Sequence, residues 1–266
     1  MRVVALGSDV YAYTGSRAVD AALPSVVFVH GAGNDHSVWA LQSRYFAHHG
    51  WNAFAVDLPG HGRSGGAPLA SVEALGDWIG SFLEAAGVAQ AALVGHSMGS
   101  LAALECAARQ PDRVSKLVLV GSAAPMPVSE MLLDAAKRND HVACELITGW
   151  SYSAGKQLGG SQVPGLWLTG NGLRLLEREK PGVLYADLAA CNGYAAGESS
   201  AAKVRCPVLA ILGARDLMAP ARNARALIGR LPNVRVVTIA DCGHALMAEQ
   251  PDAVLDALRA FLMPAT

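Results

Sequence analysis

The stretch that decides the fold is Ala91-Ala92-Leu93-Val94-Gly95-His96-Ser97-Met98-Gly99, an apolar run that leads directly into a serine between two glycines. The run Ala91–Val94 is typical of a strand buried on both faces, and a helix is predicted to start after Ser97 and to end near Arg109. A turn this tight leaves no room for side chains two residues before and after the serine, hence Gly95 and Gly99. The pattern Gly-x-Ser-x-Gly therefore predicts that Ser97 is a nucleophile at the end of a strand.

Backbone N–H groups near this serine are predicted to stabilise negative charge on a substrate oxygen. The N–H of Met98, at the start of the predicted helix, is one expected oxyanion donor. The second should come from the loop His30-Gly31-Ala32-Gly33, which follows the apolar run Ser25–Val29. Ala32 is the predicted donor and Gly33 the alternative, since a backbone role leaves no mark on the side chains.

A serine hydroxyl needs a base, and the base needs a partner that fixes its tautomer. Two histidines follow Ser97 in the chain, His141 and His244. His244 comes just after a predicted strand at 234–239, whereas His141 lies in a helix-like stretch. His244 is therefore the predicted base.

Two aspartates compete for the role of the acid that supports His244. Asp216 comes directly after the buried run 207–212, at the same expected edge of the sheet as Ser97. Asp241 lies only three residues before the base, so its side chain would have to fold back to meet it. Asp216 is the prediction, and Asp241 is expected to be a turn residue.

Strands and helices alternate along most of the chain, which predicts a mostly parallel sheet covered by helices on both faces. Between 122 and 203 the alternation stops, and only helix-like stretches remain. We therefore predict an α/β core from 1–121 and 204–266, with 122–203 inserted as a helical cap. The predicted strands are 2–5, 10–13, 25–29, 52–56, 91–94, 116–120, 207–212 and 234–239; the predicted helices are 36–49, 71–86, 98–109, 128–138, 141–147, 166–179, 183–190, 221–229 and 252–262.

Composition excludes several classes of protein. Apolar residues make up 52% and charged residues 16%, with a net charge of −1 and scattered basic residues. Nothing favours nucleic acid or an anionic membrane as a partner, and no apolar run approaches the roughly 18 residues of a membrane span. The first nine residues lack the apolar core of a signal peptide, so a soluble, cytoplasmic protein is expected.

The cysteines and one glycine-rich loop give no sign of a metal or a cofactor. Five cysteines lie far apart without a Cys-x-x-Cys pair, which favours buried free thiols over a metal site or disulfides. The loop Gly60–Gly65 fits Gly-x-Gly-x-x-Gly and Glu84 follows at a suitable distance, but the next helix is delayed until Ser71. A dinucleotide site needs that helix to start at the loop, so no cofactor is expected.

Taken together, these motifs closely resemble the α/β-hydrolase superfamily, in the branch of small bacterial esterases, lactonases, carbon–carbon hydrolases and cofactor-free haloperoxidases. The resemblance covers residues 20–263 and implies an eight-stranded sheet with one antiparallel strand and a helical cap after the sixth strand. It also implies a serine hydrolase that cleaves a carboxylic ester, lactone or thioester through an acyl-enzyme. The motifs that carry it, in family order, are His30-Gly31, Asp57–Ser64, Gly95–Gly99, Gly213–Asp216 and Gly243-His244.

Departures from related activities narrow the reaction. In haloalkane dehalogenases and epoxide hydrolases, whose pattern is similar, an aspartate stands at the position of Ser97. The serine therefore argues against both activities. Ala245 and Leu246 replace the lysine that follows the histidine in hydroxynitrile lyases of this fold. Ser100 stands where perhydrolase-like members usually carry a third glycine, which counts against that activity without excluding it.

Two further alternatives stay open. Hydrolysis of a carbon–carbon bond would use the same triad, with Arg174 or Arg178 binding a substrate carboxylate. A ligand receptor on the same fold is the non-enzyme alternative, and it would show no sustained ester turnover. Aromatic residues of the predicted cap either favour a small apolar or aromatic substrate or simply pack the cap on the core; they are Trp150, Tyr152, Trp167, Tyr185 and Tyr194.

Overall fold

The computed structural model describes residues 1–161 and 165–263. Within these ranges eight strands form a single sheet in the order β1-β2-β4-β3-β5-β6-β7-β8. The strands are β1 (Arg2–Ala5), β2 (Ser8–Tyr13), β3 (Ser25–Val29), β4 (Asn52–Val56), β5 (Ala91–His96), β6 (Val114–Val120), β7 (Val208–Gly213) and β8 (Val234–Ile239).

The sheet has the predicted direction of its strands. β2 pairs antiparallel with both β1 and β4, and every pairing from β4 to β8 is parallel. β3, β4 and β5 are buried along their whole length, as expected of parallel strands covered on both faces. Their carboxyl ends meet at one edge, which places the loops after β3 and β5 side by side.

Helices cover both faces of the sheet. They are α1 (Ala40–Ala47), α2 (Val72–Ala85), α3 (Met98–Arg109), α4 (Glu130–Lys137), α5 (Val142–Ser151), α6 (Ala154–Gln157), α7 (Leu168–Leu176), α8 (Val183–Gly193), α9 (Gly197–Ala201), α10 (Arg225–Arg230), α11 (Leu246–Glu249) and α12 (Pro251–Leu262). The side chains of β3 alternate between the faces: Val27 and Val29 pack in the cluster that contains α2 and α3, while Val26 and Phe28 pack with α1 and α12.

Local chemistry explains where the helices start. Ser71 caps α2 by accepting a hydrogen bond from the N–H of Ala74, as predicted. The predicted helix 36–49 is instead a 3-10 turn at His36–Trp39 followed by α1, because Asp35 caps the turn through Ser37 N–H. Among these helices, none is both long and apolar enough to cross a bilayer within the described ranges.

The segment 122–203 lies between β6 and β7 and contains α4 to α9. Its first helices share a small apolar cluster of their own, which includes Leu132, Ile147 and Leu188. Its end packs differently, because Tyr194 and Ala201 join the large cluster around α2 and α3. Residues 162–164 of the predicted cap and 264–266 of the predicted core lie outside the described residues.

Candidate active site

Ser97 occupies a strained turn between β5 and α3. Its backbone has φ +51° and ψ −121°, a region that residues other than glycine rarely adopt. A Cβ at Gly95 would collide with the carbonyl oxygen of Gly99, and one at Gly99 would collide with the carbonyl oxygens of Val29 and His30. The two glycines therefore allow the turn that carries the Ser97 hydroxyl to the edge of the sheet.

His244 and Asp216 form a buried hydrogen-bonded pair. Nδ1 of His244 lies 2.7 Å from Oδ2 of Asp216. The other oxygen, Oδ1, accepts the N–H groups of Met218 and Ala219 at 2.8 and 2.7 Å. Burial works against the charged carboxylate, but His244 and these N–H groups outweigh it and hold the pKa of Asp216 below its usual value. An ionised Asp216 fixes Nδ1 as the protonated nitrogen and leaves Nε2 of His244 as the basic one.

The competing residues lie elsewhere. Asp241 has φ +50° and pairs with Arg215 at 2.6 Å on the surface, as expected of a turn residue. His141 is exposed and bonds to Glu177 at 2.7 Å. The structure thus brings Asp216, and not Asp241, to His244.

Ser97 and His244 line one cavity at the carboxyl edge of the sheet. Ser97 Oγ lies 4.0 Å from Met126 Sδ, and no hydrogen bond joins it to His244 among the described residues. The hydrogen bond between a nucleophile and its base is often long without substrate and shortens when substrate binds. The relevant observation is therefore that Ser97 and His244 line the same cavity.

His96 holds the backbone of His244. Its Nε2–H donates to the carbonyl oxygen of His244 at 2.8 Å, and the two ring centroids lie 4.8 Å apart. Burial, together with the neighbouring His244, lowers the pKa of His96 to about 3. His96 is therefore neutral and supports the backbone of His244.

Both predicted oxyanion donors have a free N–H group. Within 1–161 and 165–263, neither Ala32 N–H nor Met98 N–H has a hydrogen-bond acceptor. Gly33 N–H, the alternative considered from the sequence, is bonded to Asp187 Oδ2 at 2.9 Å. Of these three N–H groups, Ala32 and Met98 therefore remain available to a substrate oxygen.

Asp187, in α8, was not expected from the sequence. Its Oδ2 also accepts from Nε2 of His61 at 2.8 Å, while Nδ1 of His61 lies 3.0 Å from the carbonyl oxygen of Pro59. Burial opposes the charged form of His61, but the Asp187 carboxylate prevails and raises the pKa of His61 to about 9. A buried ion pair therefore joins the inserted segment to the loop after β4, and the hydrogen bond from Gly33 N–H joins the same carboxylate to the loop that carries Ala32. The available signal in the sequence was an aspartate within an apolar helix.

Glu249 is a second residue that sequence reasoning missed. It is buried, and its carboxylate accepts from Gly243 N–H at 2.9 Å and from the hydroxyl of Ser153 at 2.5 Å. The carbonyl oxygen of Ser151 accepts the N–H groups of His244 and Ala245 at 2.8 and 2.9 Å. The end of α5 and Glu249 thus hold the loop of His244 from two sides.

The loop Gly60–Gly65 wraps around the carboxylate of Asp57. That carboxylate accepts from the N–H groups of Arg63 and His36 at 2.8 and 2.7 Å. Asp35, His36 and Asp57 place ligand-type atoms within 4.8 Å of one another. Because both carboxylates already accept backbone N–H groups, this cluster fits a structural support better than a metal site.

The cavity at Ser97 has a volume of about 470 Å³ and a mainly apolar wall. Its lining among the described residues contains no lysine, arginine, aspartate or glutamate. Arg174 and Arg178, considered as carboxylate ligands, are exposed and pair with Glu177 and Asp35. Neither arginine lines the cavity.

Comparison with known proteins agrees with this architecture. A pimeloyl-[acyl-carrier protein] methyl ester esterase of Aromatoleum aromaticum is 29% identical over 86% of this chain and 94% of its own length. An (E)-2-((N-methylformamido)methylene)succinate hydrolase of Acinetobacter baylyi is 23% identical over 89% of each chain. The crystal structure of the enol-lactonase from Burkholderia xenovorans LB400 superposes with a TM-score of 0.87 over 99% of this chain and 100% of its own, at 21% identity. The model of the alpha/beta hydrolase family matches residues 26–257, and the chain is a hydrolase that belongs to this family.

Proposed function

We propose that the chain hydrolyses carboxylic esters with an uncharged, mainly apolar acyl group, using Ser97, His244 and Asp216 as its triad. The observation that carries the proposal is the His244–Asp216 hydrogen bond of 2.7 Å in a cavity that Ser97 also lines. His244 Nε2 takes the proton of Ser97 as Oγ attacks the ester carbonyl. Asp216 stabilises the imidazolium that forms.

The free N–H groups of Ala32 and Met98 bind the oxyanion of the tetrahedral intermediate. His244 then protonates the leaving alkoxide, and Ser97 is left acylated. Water then attacks the acyl carbon while losing a proton to His244, and His244 returns that proton to Ser97 Oγ as the acid leaves. Each step uses side chains and backbone groups of this chain.

The charge of the cavity wall supports an uncharged substrate. A carboxylate in a wall without a cation would lose its hydration without a partner, which is strongly unfavourable. Carbon–carbon hydrolysis of a dienoate would need such a cation, so the positions of Arg174 and Arg178 disfavour it. Lactones and thioesters without a charge fit the same wall and belong to the proposal.

We further infer that segment 122–203 is a cap over a small-molecule site. Residues from α4, α5, α7 and α8 line the same cavity as Ser97. The ion pair between Asp187 and His61 fastens this segment to the core. A cap of this kind excludes water from the acyl-enzyme until the alcohol has left.

Replacement of Ser97 by alanine tests the proposal. Wild type should hydrolyse p-nitrophenyl octanoate with sustained turnover, and Ser97→Ala should lower kcat by several orders of magnitude with unchanged circular dichroism. A fluorophosphonate probe should add one mass increment to wild type and none to Ser97→Ala. Ser81→Ala, on the outer side of α2, is the control. Full esterase activity in Ser97→Ala, or no turnover in wild type, would refute the proposal, and the second outcome would favour a receptor.

A further inference from the structure

Thr148 and Tyr152 are two of the hydroxyl-bearing residues in the mainly apolar wall of the cavity. Thr148 lies in the last turn of α5, and Tyr152 directly follows the last residue of that helix. Both residues line the cavity, and both are more than nine-tenths buried, with 8% and 7% exposed. The ester chemistry proposed above gives neither of them a role.

Neither hydroxyl has a hydrogen-bond partner in the described part of the chain. Oγ1 of Thr148 is buried without one, although a threonine in a helix ordinarily bonds to the carbonyl oxygen four residues earlier. Oη of Tyr152 also has none in residues 1–161 and 165–263. A buried polar group left unpaired costs on the order of 1–3 kcal/mol.

Two other hydrogen-bonding side chains of the wall differ in this respect. Ser129 Oγ accepts from Leu132 N–H at 3.4 Å, and Asn34 Nδ2 donates to the carbonyl oxygen of Ala32 at 3.2 Å. Both of these side chains thus have a local backbone partner. Among the described residues, Thr148 Oγ1 and Tyr152 Oη lack one, as does Nδ1 of His96 in the same wall.

Gly172 in α7 leaves room for the ring and hydroxyl of Tyr152. A Cβ at position 172 would lie 2.6 Å from Tyr152 Oη and 3.0 Å from Tyr152 Cε2, so any larger residue would displace the ring. Gly172 itself lines the cavity. Burial, with the charge of Glu249 nearby, raises the pKa of Tyr152 to about 12. The phenol therefore keeps its proton and remains a donor at neutral pH.

We propose that Thr148 and Tyr152 form a polar subsite that binds one neutral oxygen group, a ketone carbonyl or a hydroxyl, on the otherwise apolar acyl chain of the substrate. Tyr152 donates to that oxygen, and the enclosed Thr148 hydroxyl turns toward the cavity to donate or accept. A carboxylate is excluded by the absence of a cation in the described wall. This inference rests on the proposed esterase function and specifies its substrate.

A series of matched esters tests the subsite. p-Nitrophenyl octanoate is compared with p-nitrophenyl octanoates that carry one keto group at C3, C4, C5, C6 or C7. Wild type should prefer one keto position over the plain ester by about tenfold or more in kcat/KM. A factor of ten corresponds to about 1.4 kcal/mol, which is the size expected for one hydrogen bond to a buried hydroxyl. In Tyr152→Phe and in Thr148→Val this ratio should fall toward one.

Tyr185→Phe is the matched control, because Tyr185 belongs to the same segment but does not line the cavity. It should keep the wild-type ratio. A wild-type profile that favours no keto position would overturn the subsite, as would a preference that survives both Tyr152→Phe and Thr148→Val. If a variant fails to fold, the wild-type profile still decides. Hydrolysis of the plain ester and its loss in Ser97→Ala test the catalytic proposal separately.

Discussion

Asp187 accepts a hydrogen bond from the N–H of Gly33 at 2.9 Å, across 154 positions of sequence. Gly33 directly follows Ala32, whose N–H is free, so a carboxylate of the inserted segment fixes the loop that contains the proposed oxyanion donor. The same oxygen, Oδ2 of Asp187, also accepts from Nε2 of His61. The helix that closes the cavity therefore also positions the group that would stabilise the transition state.

Asp187→Asn should lower kcat by about 10- to 100-fold with KM changed less than about threefold. The amide keeps the shape but loses the charge that anchors Gly33 and His61, and a displaced oxyanion donor affects the transition state more than the bound substrate. Affinity for a trifluoromethyl ketone inhibitor should fall in parallel with kcat. Asp134→Asn, an exposed acid in α4, is the control. If Asp187→Asn lowered kcat/KM only by raising KM, that result would contradict a positioning role.

Stability should depend on pH through His61. Its pKa rises from 6.5 to about 9 on folding, so the stabilisation is fully present below pH 6.5 and is lost as pH rises through 9. The free energy of unfolding in urea should therefore fall between pH 6.5 and 9, by up to about 3 kcal/mol. His61→Gln should show a smaller fall over that range. Parallel pH curves for the two proteins would contradict the assignment.

The same substitution, aspartate to asparagine, distinguishes the roles of Asp216 and Asp241. Asp216→Asn removes the charge that stabilises the imidazolium and permits the wrong tautomer of His244, so kcat should fall by about three to four orders of magnitude. Asp241→Asn should stay within about twofold, because its carboxylate pairs with Arg215 at the surface. Initial rates with p-nitrophenyl octanoate decide, and similar losses in both variants would reject Asp216 as the sole acid.

Gly243→Ala should lower kcat by about tenfold or more, because a Cβ there would meet Glu249 Oε1 at 2.7 Å and the carbonyl oxygen of Ser151 at 2.8 Å. Neither group is free to move, since both hold the His244 loop. Gly149→Ala is the control: no atom lies within 4 Å of its added Cβ, and alanine favours the helix. Wild-type kcat in Gly243→Ala would show that the loop is less constrained than its contacts indicate.

Most of the sheet follows from local pattern. Runs such as Ser25–Val29 and Val234–Ile239 have the predicted limits, because apolar β-branched residues bounded by turns form strands without help from distant groups. The predicted ends of the helices were less accurate than those of the strands. The predicted helix 221–229 is α10 at Arg225–Arg230, since residues 221–224 form turns after Pro220.

The site divides in the same way. Ser97, Asp216 and His244 each follow a predicted strand, so the topology of the sheet brings them to one edge. Asp187 and Glu249 lie inside helices, and their functions depend on contacts with Gly33 and Gly243 that no local pattern encodes. The unpaired hydroxyls of Thr148 and Tyr152 are likewise visible in three dimensions alone.

The carbonyl oxygen of Ser151 has a practical consequence for engineering. Ser151 is the last residue of α5, yet its carbonyl oxygen accepts hydrogen bonds from the N–H groups of both His244 and Ala245. A chimera that exchanges the inserted helices for those of a relative would disturb an anchor of the proposed general base if it replaced residues 151–153. We expect grafts that retain this short stretch to keep the imidazole in place, and grafts that discard it to lose turnover even when the new helices fold.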